Sequence, residues 1–197
     1  RSVYRFFRAA SVDGDVVVFF DGDTEIARVK FPRQEGGERR CIADLVPPLS
    51  SGKRDHVAAF VTTCQGRARP LRALADELKA QGSYVKMHAL QALAIETAEG
   101  LAERLHEQLR RAWGFADPPT TTKQDLFSAR YRGRRYSFGY PACPRLDDQA
   151  VIWSLLDPQR NVGVELTEGF MMEPEASVSA LVFQHPQAVY FGVSRDD

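Results

Sequence analysis

Apolar and polar positions along the chain change period twice. They predict strands first, helices in the middle and strands again at the end. Residues 16–20 (VVVFF) are β-branched and aromatic, Asp21-Gly22-Asp23 is turn chemistry, and Ile26, Val29 and Phe31 mark the return run of a hairpin. Residues 33–40 form a polar, Gly-bearing loop. Residues 41–46 make one or two helical turns before Pro47-Pro48 stops them. Residues 57–63 (VAAFVTT) read as a buried strand. Pro70 opens a helix carrying Leu71, Leu74 and Leu78 on one stripe, and Gly82 closes it. Residues 83–113 predict one long helix, with Leu90, Leu93 or Ala94, Thr97, Leu101, Leu105 and Leu109 at three-to-four spacing. At ~1.5 Å per residue it is roughly 45 Å long and forms the spine of the fold. A Pro-Pro-Thr-Thr-Thr linker (118–122) and an Arg-rich polar stretch follow. A short helix is expected over 147–156 and strands over 162–164, 177–183 and 189–193. Helices and strands are segregated rather than alternating, which favours an α+β class over a doubly wound sheet.

Composition narrows the function classes. Lys plus Arg and Asp plus Glu each number 26, so no net charge draws the chain to nucleic acid or anionic lipid. Cys41, Cys64 and Cys143 are odd in number and far apart, which fits neither a disulfide framework nor metal-ligand spacing and suits a reducing cytoplasm. No apolar run approaches the ~18 residues of a membrane span. The chain starts at Arg1 rather than Met, so a fragment of a longer parent or a trimmed chain is expected.

Few segments carry chemistry. Arg130, Arg132, Arg134 and Arg135 interleave with Tyr131, Tyr136, Phe138 and Tyr140, a pattern that suits stacking and phosphate contact in RNA binding. Arg135 held by a packed backbone can instead grip a carboxylate in bidentate fashion. From composition alone, an exposed basic loop with core aromatics is the simpler account. In Gly139-Tyr140-Pro141-Ala142-Cys143-Pro144, two prolines hold the backbone stiff and Gly139 permits close approach to a ligand. Cys143 reads as a small buried hydrophobe. Glu99, Glu103 and His106 share a helix face; a single Glu-x-x-His is weak evidence for a metal pair, and solvated charges are the better account. His88 and His185 are isolated. No metal ligand set and no catalytic acid–base residue are expected.

Residues 135–144 (RYSFGYPACP) resemble the Arg-x-x-x-Gly-Tyr-Pro-Ala-Cys-Pro signature of the activation domain of cobalamin-dependent methionine synthases. Other landmarks agree in order: Cys41-Ile42-Ala43-Asp44, then Ser51-Gly52-Lys53 with Asp55, Ala98-Glu99 through Leu105-His106-Glu107, Leu166-Thr167-Glu168, Ala176-Ser177-Val178-Ser179, His185-Pro186 and Tyr190. The resemblance implies one domain over residues 1–197, with long central helices packed on a twisted antiparallel β-sheet. It also implies a shallow groove for S-adenosylmethionine. In that groove Arg135 takes the methionine carboxylate, Tyr140 and Tyr190 lie near the sulfonium, and Glu99 contacts the ligand. Backbone groups of Tyr136, Gly139, Ala142 and Phe191 complete it. The implied partners are a cobalamin-binding module, which carries the cobalamin cofactor, and a flavodoxin-like electron donor. The implied role is reductive methylation of cob(II)alamin by a cytoplasmic module that cannot alone make methionine.

Three departures stand against the family pattern. An acidic ligand residue upstream of the first hairpin is not among these residues. The acidic position six residues before the signature Arg is Ala129, and the usual Phe-Pro-Ala-Asn start reads Phe7-Arg8-Ala9-Ala10. Two alternatives follow: a module that caps cobalamin and docks the electron donor without binding S-adenosylmethionine, and an RNA-binding domain using residues 130–140.

Overall fold

The computed structural model describes residues 1–65 and 70–193. Its centre is a six-stranded sheet in which every pairing is antiparallel. The strands are β1 (Ser2–Val12), β2 (Val16–Asp21), β3 (Thr24–Lys30), β4 (Asp55–Thr63), β5 (Arg134–Tyr136) and β8 (Ser177–Phe183), in the spatial order β3-β2-β1-β4-β8-β5. A second, two-stranded sheet joins β6 (Glu165–Leu166) to β7 (Met172–Glu173).

Strand β4 is buried on both faces, and its two alternating rows feed two different cores. Val57, Ala59 and Val61 point to one face, with Phe7, Phe19, Phe31, Leu181 and Phe183. That face is covered by α4 (Ala150–Leu156), by α5 (Pro158–Val162) and by a single helical turn at Ile42–Leu45. Ala58 and Phe60 point the other way, with Val178, Ala180 and Val182, and meet α2 (Tyr84–Ala112). Helix α1 (Leu71–Ala80) packs on α2, and α3 (Lys123–Phe127) leads into β5.

The spine helix forms as expected, but its buried stripe differs. Ala94, Ala98, Ala102, Leu105 and Leu109 are buried, whereas Leu93 and Thr97 face solvent. The sheet explains the change. Thr62 Oγ1 donates to the main-chain oxygen of Ala98 at 3.4 Å, so around Ala98 the helix backbone lies close on β4 and methyl groups fill the gap, with leucines only further along at 105 and 109.

Three further departures have physical causes. Strand β1 is not predicted by the hydrophobic pattern, because it is central for only part of its length and its residues 2–6 are largely uncovered. Residues 162–164 are not a strand. Pro158 at the first helical position and the Asp157 carboxylate, which accepts from the Arg160 amide, start α5, and Val162 ends it. Residues 189–193 form no strand either. Tyr136 Oη donates to the Val189 carbonyl at 2.7 Å, Gln34 Nε2 donates to the Gly192 carbonyl at 2.7 Å, and the Val193 amide donates to the Pro141 carbonyl at 3.1 Å. The segment is therefore tied to loops instead of a sheet edge. Within the expected helix at 147–156, the first turn is a 3₁₀ helix (Leu146–Gln149) and α4 completes it. No described helix is long and apolar enough to cross a membrane.

Candidate functional site

A cleft of about 620 Å³ opens beside β5 and β8, between α2 and the loop that follows β5. That volume falls in the range of a cofactor-sized pocket. Its floor comes from Ser177, Val178 and Ser179 of β8 and from buried Gln149. Gln149 cannot tilt: Ser179 Oγ donates to its Oε1 at 3.0 Å, and its amide nitrogen donates to the Phe170 carbonyl.

One wall is the loop at residues 137–144. Gly139, at φ +88°, lets the chain double back, and its amide donates to the Cys143 carbonyl at 2.9 Å. The Cys143 amide donates to the Tyr140 carbonyl at 2.9 Å, closing a tight turn that leaves the Tyr140 ring 62% exposed at the rim. Beneath it, the Cys143 thiol donates to the Ser137 carbonyl at 3.0 Å, and burial pushes its pKa up to about 12. Cys143 is thus a structural thiol, as its pattern suggested. The opposite rim is Tyr190, 54% exposed, with its ring 5.9 Å from Tyr136. Burial pushes both phenols up, so both keep their protons at neutral pH.

Arg135 sits on β5 with its side chain only 15% exposed. Its Nη1 lies 2.5 Å from Glu103 Oε1 and its Nη2 lies 3.6 Å from Glu99 Oε2. Both carboxylates project from one face of α2, one turn apart. Burial alone lowers the Arg135 pKa, but the Glu103 carboxylate and the nearby tyrosine oxygens outweigh it and leave the pKa raised. The Glu103 contact is one of charge at close range, and the Nη1 N–H is not aligned on an acceptor.

Behind Arg135 lies a stack that the sequence does not announce. Arg110 is buried, pairs with Asp117 through Nε at 2.7 Å and Nη2 at 2.5 Å, and covers the Tyr131 ring at 3.8 Å. Arg134 lies 5.5 Å from the Tyr131 ring and 5.6 Å from that of Tyr190. His106 meets the Tyr131 ring edge-on, and neither of its nitrogens has a partner. Burial, then the charges of Arg110, Arg135 and Arg134, drive its pKa well down, so it is neutral. This corrects the expectation of a solvated helix face for His106, which is fully buried, whereas Glu99 and Glu103 stay partly solvated, 44% and 39% exposed, while facing Arg135.

The expected site residues converge. Glu99, Arg135, Tyr136, Tyr140, Ala142, Tyr190 and Phe191 all line the cleft. Gly139 does not line it and acts through the turn. Ser137, Leu146, Gln149 and Met172 also line it, and no spacing rule singles them out. The arginines at 130–135 do not form a free basic strip. Arg132 donates to the Gln184 carbonyl and side chain, Arg134 donates to the carbonyls of Tyr131 and Gly133, and Arg130 faces Asp125 at 3.5 Å.

The model of the family described as vitamin B12 dependent methionine synthase, activation domain, matches residues 1–196. The chain belongs to the activation domain family of vitamin B12-dependent methionine synthases. This activation domain is 35% identical to the methionine synthase of Mycobacterium tuberculosis over 97% of its length, and 34% identical to that of Mycobacterium leprae over 97%. It spans 17% of each of those proteins. Among solved structures, it is similar to the crystal structure of the MetH reactivation domain bound to AdoHcy. The TM-score there is 0.90 with 37% identity, covering 98% of this chain and 61% of the other. The α+β architecture of an antiparallel sheet with packed helices is thus that of the activation domain.

Proposed function

We propose that the chain acts as one unit over residues 1–197, binds S-adenosylmethionine in the cleft beside β5 and supports reductive methylation of cobalamin. The observation that carries this reading is the held guanidinium of Arg135 at a cofactor-sized cleft with tyrosine rings on both rims. The donor set fits the ligand. The Arg135 fork suits a carboxylate, Glu99 suits an ammonium, and the faces of Tyr140 and Tyr190 suit a sulfonium through cation–π contact. The similar MetH reactivation domain is bound to AdoHcy, which supports a ligand of this class.

Mechanistically the chain supplies position rather than acid–base chemistry. Arg135 and Glu99 hold the amino-acid end, and the tyrosine rims keep water from the sulfonium. Leu146, Phe138 and Met172 offer apolar surface to the rest of the ligand. When bound on its separate module, cobalamin would supply a reduced cobalt nucleophile for the methyl carbon, with S-adenosylhomocysteine as the leaving group. A flavodoxin-like donor provides the electron. No proton moves in the displacement, which agrees with neutral, buried Cys143 and His106. Three free cysteines suit a cytoplasmic setting. Methionine formation belongs to the longer relatives, and the contribution proposed for this chain is reactivation.

Calorimetric titration of the 197-residue chain with S-adenosylmethionine tests the proposal. Saturable one-site binding is expected, weakened by ~2–5 kcal/mol in Arg135→Ala, because the ligand carboxylate loses its partner. No binding by the wild type would favour the alternative, a cobalamin-capping and donor-docking module. Unchanged affinity in the variant removes Arg135 from the site.

A further inference from the structure

We infer that Glu103 is the positioning residue of this site, pinning one edge of Arg135 so that a ligand carboxylate exchanges with Glu99 alone. The inference rests on the cleft binding an amino-acid sulfonium as proposed above, and names a residue and an exchange that the proposal does not contain.

The two carboxylates are not equivalent. Glu103 approaches Nη1 to 2.5 Å and is not part of the cleft lining; Glu99 stands 3.6 Å from Nη2 and is part of it. One guanidinium therefore has a close partner behind and a loose partner in front. The other cations nearby do not compete for Glu103. Arg110 is engaged by Asp117, the Arg134 guanidinium donates to two main-chain carbonyls, and His106 is neutral.

An incoming α-carboxylate takes the loosely held Nη2 edge. Glu99 is displaced, and its freed carboxylate meets the ligand's α-ammonium. The Arg135–Glu99 pair is replaced by Arg135–carboxylate and Glu99–ammonium pairs, while Arg135–Glu103 persists. No charge is left without a partner at the end of the exchange, which is the condition for a partly buried site to bind a zwitterion at little desolvation cost. Without Glu103 the Nη1 edge is unpinned, and the guanidinium is no longer held to face an incoming carboxylate.

The test separates the carboxylate from the rest of the ligand. The 197-residue chain and its Glu103→Gln, Glu103→Asp and Glu99→Gln variants are titrated with S-adenosylmethionine and with its decarboxylated analogue, which keeps the amine and the sulfonium. Glu103→Gln is expected to weaken S-adenosylmethionine on the order of 10-fold and to leave the decarboxylated analogue within about twofold. Glu103→Asp falls between wild type and Gln with the same selectivity. Glu99→Gln weakens both ligands, since both carry the amine. Equal weakening of both ligands by Glu103→Gln assigns Glu103 a merely structural role and overturns the inference, as does unchanged S-adenosylmethionine affinity. If Glu103→Gln loses its far-UV circular dichroism, Glu103→Asp decides by the same selectivity. Failure of the wild type to bind S-adenosylmethionine brings down the reading of the cleft itself; normal wild-type binding without selectivity in the variants brings down the Glu103 role only.

Discussion

Asp117→Asn isolates the cost of an unpaired buried cation. The substitution keeps the size and shape of the side chain and removes its charge. Arg110 then retains full charge at 1% exposure. It keeps at most one acceptor, the Asn oxygen, in place of the carboxylate contacts at 2.7 and 2.5 Å, and its Nη1 already lacks an acceptor. Breaking one side of a buried ion pair costs ~3–5 kcal/mol. At ~2–4 °C per kcal/mol for a chain of this size, the midpoint of thermal unfolding falls by about 6–20 °C. Urea denaturation followed by circular dichroism gives the free energy directly. The control is Arg110→Met with Asp117→Leu, which deletes both charges. It loses the stacking on Tyr131 but leaves no orphan, and is expected to be more stable than Asp117→Asn alone. A single variant within about 1 kcal/mol of wild type, or a double variant less stable than the single, would refute the reasoning.

Two other outcomes follow from the same interior. His106 has its folded pKa driven below the ordinary 6.5, first by burial and then by three arginines. The unfolded chain therefore takes up a proton near pH 6.5 that the folded chain refuses. Stability contributed by neutral His106 is complete above pH 6.5 and falls as pH drops below it, by up to ~1.4 kcal/mol per pH unit. His106→Phe is expected to flatten that slope between pH 6.5 and 5 in urea melts at stepped pH; an unchanged slope counts against it. Gly133, at φ +80°, would place an added Cβ 2.7 Å from the Phe183 main-chain oxygen. Gly133→Ala is therefore expected to destabilise by ~1–3 kcal/mol and to loosen the β5 edge, seen as faster amide exchange at Arg135 and Tyr136.

The hairpin of β2 and β3, strands β4 and β8 and helices α1 and α2 were legible because each repeats one period over many residues. Strand β1 was not, because Arg5, Arg8 and paired phenylalanines interrupt any alternation, and its burial is decided by strands 50 residues away in sequence. Residues 189–193 carry strand-forming side chains, but the Tyr136 hydroxyl and the Gln34 amide claim their carbonyls. The cleft was legible in Arg135 and Tyr140, which share one stiff segment. Its second half was not. Glu103 gains its role from a β-strand residue 32 positions later, and His106 looks like a surface residue until Tyr131 and Arg110 cover it. Spacing along one helix shows which groups share a side, not what arrives to meet them.

The alanine stretch of the seam between α2 and the sheet sets a height. Because Ala98 and Ala102 act as shims, the elevation of the acidic row above β5 follows from volume deep in the interior rather than from anything at the mouth of the cleft. One additional methylene there would lift the row and stretch both carboxylates away from the cation they share. Tuning of this charge array is thus accessible to substitutions that never touch solvent, and two chains with identical rims can grip the same molecule with different strength.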